Sequence, residues 1–318
     1  MAPGNAGSES KAATIVSFGE VLWDLLPTGP LLGGAPFNFA FRASTLGHYA
    51  VIASRLGRDD RGREALSRIS ALGMETGWIQ WDDNAPTGTV DVRFDEKGNH
   101  DFTINTNVAY DHIAATEDLL RLGARADCLC YGTLVRRSPT SRAALDMLLE
   151  AFEGRLALLD LNLRKDCWTD AEVVSSVASA DVLKLNDQEL LTVDRIFGLP
   201  GGTMGEKTLA LVKSTNLRCA VVTLGPGGAY AVSRTGEMVY EPAFAVTPVD
   251  TIGSGDAFTA GFIHALLADR PLSHACRLGN ALGALVTAQR GATEPLPPDR
   301  VDFLLSRGER MPADPRFV

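Results

Sequence analysis

Leu156-Ala157-Leu158-Leu159-Asp160-Leu161, the amphipathic stretch Ala171–Ala178, and Asp181-Val182-Leu183-Lys184-Leu185 read in succession as strand, helix, strand. The strands are apolar enough for parallel strands covered on both faces, and a helix between two such strands is the repeating unit of an α/β protein. The pattern extends in both directions. Upstream strands are expected at Thr14–Phe18, Ala50–Arg55 and Asp127–Tyr131, and a downstream one at Cys219–Leu224. Helices are expected at Pro36–Leu46, Arg61–Leu72 and Thr140–Phe152, each followed by a glycine (Gly47, Gly73, Gly154) where a left-handed cap would stand. Two longer helical stretches, Ala257–Ala268 and Ser273–Gln289, come last. The fold class is therefore α/β, a mostly parallel central sheet flanked by helices.

One segment breaks the alternation. Thr87–Asp95 and Asn99–Asn105 alternate apolar and polar residues around Glu96-Lys97-Gly98, the pattern of an exposed hairpin with one wet face, and Val21–Leu32 is a second extended stretch. Together they could form a small sheet projecting from the main one. Residues 1–12 carry Gly, Ala, Ser and charge without periodicity and read as a disordered tail, leaving 13–318 as the folded part.

Charge narrows the partners. Thirty basic against 39 acidic residues give a net charge of −9, the wrong sign for a nucleic-acid or anionic-membrane binder. Five cysteines without framework spacing suit reduced thiols, and neither a spanning apolar run nor a secretory signal is seen, so a cytoplasmic location is expected. The five histidines lack metal-ligand spacing, and Cys128 and Cys130 are expected on opposite faces of their strand, sharing neither metal nor disulfide. Gly205-Glu206-Lys207-Thr208 only echoes a phosphate loop and reads better as the opening of a surface helix. Gly253-Ser254-Gly255 lacks the third glycine of a dinucleotide fingerprint.

Chemistry concentrates at Asp250-Thr251-Ile252-Gly253-Ser254-Gly255-Asp256, which runs straight into an apolar helix. A Gly-rich turn at a helix N-terminus exposes backbone N–H groups at the positive end of the helix dipole, an anion hole. A carboxylate in that first turn can take a proton from an attacking hydroxyl, although the same residues also suit a plain N-cap. Gly33-Gly34-Ala35-Pro36-Phe37-Asn38 is a second Gly-rich helix entry, where Asn38 offers both a donor and an acceptor to a hydroxylated ligand.

The two turns, in this order and separation, resemble the two signatures of the ribokinase-like (PfkB) carbohydrate kinases. The likeness runs from about Thr14 to about Arg307 and includes Gly19-Glu20 with Asp24, Asp160-Leu161-Asn162-Leu163-Arg164, Lys184-Leu185-Asn186-Asp187-Gln188-Glu189, Thr223-Leu224-Gly225-Pro226-Gly227-Gly228, and Asn280. Several of these pieces look most like fructokinases. Phe37 and Ser254 depart from the residues common among relatives.

The resemblance implies a ribokinase-like kinase domain over 13–318, with lid segments at about 21–32 and 87–107. It also implies an ATP-dependent sugar kinase that transfers the γ-phosphoryl group to a primary hydroxyl, with fructose as the sugar. 2-Keto-3-deoxygluconate, ribose and a nucleoside stay open as substrates, and a non-catalytic binding protein is the alternative of another class. For an acidic substrate, Arg136, Arg137 and Arg164 are the available cations. Carried over by resemblance, Asp256 is the catalytic base and Gly253, Ser254 and Gly255 the anion hole, while Asp24, Gly34, Asn38 and Arg164 bind the sugar or the phosphates. Thr223, Gly225, Gly228 and Asn280 line the nucleotide. Asn186 and Glu189 organise hydrated Mg²⁺, and a monovalent cation such as K⁺ lies near Asp250, Thr251 and Gly291. Arg164 also suits a surface ion pair, Glu189 a solvated helix position and Asn280 a helix-surface amide. Exposed lid strands suit pairing into a homodimer.

Overall fold

The computed structural model describes residues 12–94 and 100–317. Most of the expected tail, and the Glu96-Lys97-Gly98 turn, lie outside the described residues. Thirteen strands are described: β1 (Thr14–Phe18), β2 (Leu22–Leu26), β3 (Gly29–Gly33), β4 (Tyr49–Gly57), β5 (Ile79–Asp82), β6 (Gly88–Phe94), β7 (His100–Ile104), β8 (Cys128–Gly132), β9 (Leu156–Asp160), β10 (Val182–Asn186), β11 (Cys219–Thr223), β12 (Ala229–Ser233) and β13 (Met238–Glu241). The helices are α1 (Ala35–Thr45), α2 (Asp60–Ala71), α3 (Glu117–Arg125), α4 (Pro139–Ala151), α5 (Asp170–Ala178), α6 (Asp187–Phe197), α7 (Met204–Ser214), α8 (Ser254–Leu267), α9 (Leu272–Thr287) and α10 (Pro298–Arg307).

Nine strands make one sheet in the order β13-β12-β11-β10-β9-β8-β1-β4-β5, parallel from β5 to β11 and ending in an antiparallel hairpin. Every strand expected from the α/β alternation lies in it. Its additional members are β12, of five residues, and the four-residue edge strands β5 and β13, all too short to show a period. Helices cover both faces. Leu129 and Tyr131 of β8 join a core with Leu145 of α4, Val173 of α5, Leu190 of α6 and Leu211 of α7. Cys128 and Cys130 join the opposite core with Phe39 of α1, Phe262 of α8 and Leu282 of α9. The expectation of opposite faces for the two cysteines is thus corrected, because residues two apart on a strand share a face. All five cysteines are free and buried. Among the described residues no helix is long and apolar enough to cross a membrane.

Local signals explain the helix boundaries. Thr116, Thr169, Asn186 and Thr203 cap the starts of α3, α5, α6 and α7 through their side-chain oxygens. Gly47 and Gly73 take positive φ just beyond α1 and α2, as expected. Gly154 does not; α4 is capped by Phe152, and a Cβ at Gly154 would lie 2.0 Å from the Ala126 carbonyl oxygen. That glycine permits a close approach rather than a left-handed turn.

The remaining strands form a small sheet in the order β3-β2-β6-β7, with β2 and β6 parallel and the other pairs antiparallel. Its roots are fixed by hydrogen bonds. Asp59 accepts from the Thr87 backbone (2.8 Å) and hydroxyl (2.7 Å), while Arg137 donates to the Asn105 carbonyl (2.8 Å) and pairs with Asp111. The segments after β1, β9, β10 and β11 leave the main sheet at the carboxyl ends of its parallel strands, where open α/β sheets bind ligands.

Candidate active site

The Asp250–Asp256 turn delivers its last residue into the first turn of α8. Gly253 sits at φ 77° as the helix N-cap, a conformation that favours glycine, and a Cβ there would meet Ala292 at 2.3 Å. The Ser254 amide is taken by the Thr251 carbonyl (3.2 Å). The amides of Gly253, Gly255 and Asp256 have no acceptor among the described residues, so the turn presents donors as expected, although not from Ser254.

Asp256 faces Asn38 of α1, whose Nδ2 donates to Asp256 Oδ2 at 2.8 Å. The other amide atom, Asn38 Oδ1, is buried without a hydrogen-bond partner, which is costly unless a ligand donor meets it. Burial raises the Asp256 carboxyl from 3.8 to about 6, and Asp160 pushes the same way against Lys184, Asn38 and Arg164.

Two residues that the sequence reading did not single out as site residues lie beneath this turn. Lys184 of β10 pairs with Asp160 of β9 at 3.0 Å, and Thr259 of α8 donates to the other Asp160 oxygen at 2.9 Å. A Cβ on Gly255 would come within 3.3 Å of the Lys184 ammonium, which places that charge directly under the turn. Their signal was a lone charge inside each of two apolar strands that stand side by side in register.

Glu20 is the third. Burial pushes its carboxyl to about 7, offset in part by backbone hydrogen bonds and Arg164. Asp24 on β2 is pushed to about 6, again chiefly by burial. Gly33 and Gly34 let the backbone close over them: a Cβ would come within 3.1 Å of Asp24 Oδ2 at Gly33 and within 2.4 Å of the Glu20 carbonyl oxygen at Gly34, which has φ 119°. Arg164, exposed in the loop after β9, faces Glu20, Asp24 and Asp256 electrostatically.

Asn186 and Glu189 form a reciprocal cap at the start of α6. Asn186 Oδ1 accepts from the Glu189 amide, and Glu189 Oε2 from the Asn186 amide, both at 2.8 Å. Glu189 Oε1 also accepts from the Leu163 amide at 2.8 Å. The residue is buried, so the solvated-helix alternative for Glu189 is excluded.

On the other side of the anion turn opens a cavity of about 530 Å³. Thr223, Gly225, Gly228, Ser254, Gly255 and Asn280 line it together with Phe244, Phe258 and Met311. A void of that size with a few polar groups among apolar walls suits a ligand the size of a nucleotide. Asn280 Nδ2 holds the carbonyls of Glu241 (2.9 Å) and Pro242 (3.3 Å), which fixes one wall. Of the expected site residues, Thr223, Gly225, Gly228, Ser254, Gly255 and Asn280 thus share one cavity, and nothing in the sequence pointed to the walls supplied by Phe244 and Met311.

A family model described as pfkB family carbohydrate kinase matches residues 31–299. The chain is 31% identical to the probable fructokinase-3 of Arabidopsis thaliana, over 96% of this chain and 95% of that one. Among solved structures, it resembles the fructokinase from Vibrio cholerae O395 in its fructose, ADP and calcium ion bound form, with a TM-score of 0.79, 25% identity and coverage of 92% and 99%. It also matches the fold of the ATP-bound fructokinase from Xylella fastidiosa, with a TM-score of 0.81, 22% identity and coverage of 92% and 98%.

Proposed function

The chain belongs to the pfkB family of carbohydrate kinases, and from that premise we propose that it phosphorylates fructose with ATP. The observation that carries this reading is the Asp256 carboxylate. Asn38 occupies one of its oxygens, the other is left for a hydroxyl proton, and donor amides lie beside it between an acidic pocket and a nucleotide-sized cavity.

The roles follow from the parts. The sugar's primary hydroxyl lies against Asp256 and gives it a proton as the oxygen attacks the γ-phosphorus; the bond to the β-phosphate oxygen breaks and ADP leaves. The amides of Gly253 and Gly255 face the charge that develops on the transferred group, and Lys184 adds a positive charge beneath them. Asp24, Gly34 and the unpartnered Asn38 oxygen receive the other sugar hydroxyls. Arg164 reaches over the phosphates, and the cavity at Thr223, Gly225, Gly228 and Asn280 takes the nucleotide. Both Glu189 oxygens already accept backbone N–H groups, so Asn186 and Glu189 fit Mg²⁺ through its water shell rather than directly, and the ion supplies charge neutralisation on the phosphates when bound. The small sheet acts as a lid that excludes water.

Charge favours a neutral sugar over a sugar acid. Glu20, Asp24 and Asp256 converge on the sugar side. Of the candidate cations, Arg136 is engaged with Asp146 (2.7 Å) and Arg137 with Asp111 (2.8 Å), which leaves Arg164 alone. An ADP-release assay across fructose, ribose, 2-keto-3-deoxygluconate and adenosine tests this. Fructose is expected to give the highest kcat/KM, by about tenfold or more over the acid. Preference for the acid, or ADP release indifferent to every sugar, overturns the proposal.

A further inference from the structure

Against the loop on which the anion turn rests lies a buried charge with no opposite charge among the described residues. Arg42 of α1 is 1% exposed, and its Nη2 donates to the carbonyls of Ala292 (2.8 Å) and Glu294 (3.0 Å). Its Nε and Nη1 are buried without partners, and no carboxylate pairs with it among the described residues. A buried guanidinium whose hydrogen bonds go only to carbonyl oxygens, with the Phe41 ring 5.2 Å away, has surroundings like those of a bound monovalent cation, and it is expensive to keep in a core. Burial lowers its pKa to about 10, so it remains charged at neutral pH.

The loop that Arg42 holds is the one against which the anion turn rests. Ala292 packs on Gly253 so closely that a Cβ at Gly253 would sit 2.3 Å from the Ala292 Cβ. The Gly291 amide donates to Asp250 Oδ2 at 3.1 Å, and the Ile252 amide to Asp250 Oδ1 at 3.0 Å. Arg42, the 291–294 loop and the 250–256 turn are thus linked in series by hydrogen bonds and contact.

The resemblance implied a K⁺ ion near Asp250, Thr251 and Gly291, and the residues present do not fit one well. The Asp250 carboxylate already accepts from two amides, the Thr251 carbonyl from the amide and hydroxyl of Ser254, and the Ala292 carbonyl from Arg42, whose charge would repel a metal ion placed beside it. We propose that Arg42 is the resident cation of this loop: a positioning residue that holds the anion turn from behind, so that turnover needs no monovalent metal ion. The proposal rests on the kinase reading.

The test measures sugar-dependent ADP release by the wild-type protein in K⁺, Na⁺ and choline at equal ionic strength, then by Arg42→Met and Arg42→Lys. The wild type is expected to vary less than twofold among the salts. Arg42→Met is expected to lose at least tenfold in kcat in choline, with sugar KM within threefold, and to regain activity severalfold with K⁺ or millimolar guanidinium. Arg42→Lys, whose ammonium still reaches toward the carbonyls, keeps more activity than the Met variant. Wild-type activation above threefold by K⁺, or a folded Met variant with undiminished turnover, overturns the proposal. Should the Met variant not fold, the wild-type salt series and the Lys variant decide the matter. ADP release absent from the wild type in every salt would instead count against the kinase reading.

Discussion

Asp256 is held by one oxygen and free at the other, so replacing it by Asn separates the proton acceptor from the contact that positions it. An Asn can still accept from Asn38 but cannot take a proton. We expect Asp256→Asn to lower kcat by ~10²- to 10⁴-fold, roughly 3 to 5.5 kcal/mol of barrier, with sugar KM changed severalfold at most. The wild-type rate should fall as pH drops through about 6, because the ionised base is lost there. Glu20, pushed to about 7, shares that window, so the acid limb belongs to the cluster. The sign for stability is opposite. A carboxyl whose pKa is raised from 3.8 to about 6 holds its proton more tightly in the folded protein, so ionisation costs stability as pH rises through that interval, and the Asn variant should be no less stable than the wild type. Rate profiles of both proteins from about pH 5 to 8, with thermal melts, check this; a loss below tenfold would mean that Asp256 is not the base. Asp256 and Asn38 stood out as candidates because each follows a Gly-rich turn at a helix start, whereas Asp24 came only from the family resemblance. Lys184 and Asp160 could have been read as lone charges in buried strands. The burial of Glu20 could not, since a carboxyl loses its water only when distant segments close around it.

Elements were legible where their signals are local. Gly47 and Gly73 mark real left-handed turns, and the alternation in β6 and β7 gave the small sheet before its partners were known. Gly154 misled because the same residue type also serves close packing, and the β12–β13 hairpin was missed because two strands of five and four residues show little period. The small sheet is tied at its roots by Asp59–Thr87 and Arg137–Asn105, and its strands β2 and β3 are mostly half-buried where a central strand such as β9 is buried throughout. If it closes over sugar, backbone amides of β2, β3, β6 and β7 should exchange severalfold more slowly with saturating fructose and nucleotide, while those of β8 to β11 stay as they were. Exchange unchanged at saturation would make the sheet a fixed wall.

At the scale of the molecule, composition and alternation were enough for the class of fold, but not for the order of nine strands. Which strands become neighbours depends on contacts between residues far apart in the chain, as in the pairing of β1 with both β4 and β8. The same layering decides where four of the cysteines end up, because strand and helix positions facing one core admit small apolar groups and Cys128, Cys130, Cys219 and Cys276 serve as such. Burial pushes the thiols of Cys128, Cys130, Cys219 and Cys276 upward, Cys219 to about 12, and Cys167 is also enclosed. The native protein should therefore be silent to an aromatic disulfide reagent: less than one equivalent reacts in the time in which five react in denaturant. Early reaction of one thiol would reveal a local opening, whereas simultaneous release of all five would time the opening of the whole fold. The same silence means that a single cysteine introduced on the outer face of β3 could carry a fluorophore without competition, turning the movement of the small sheet into an optical signal.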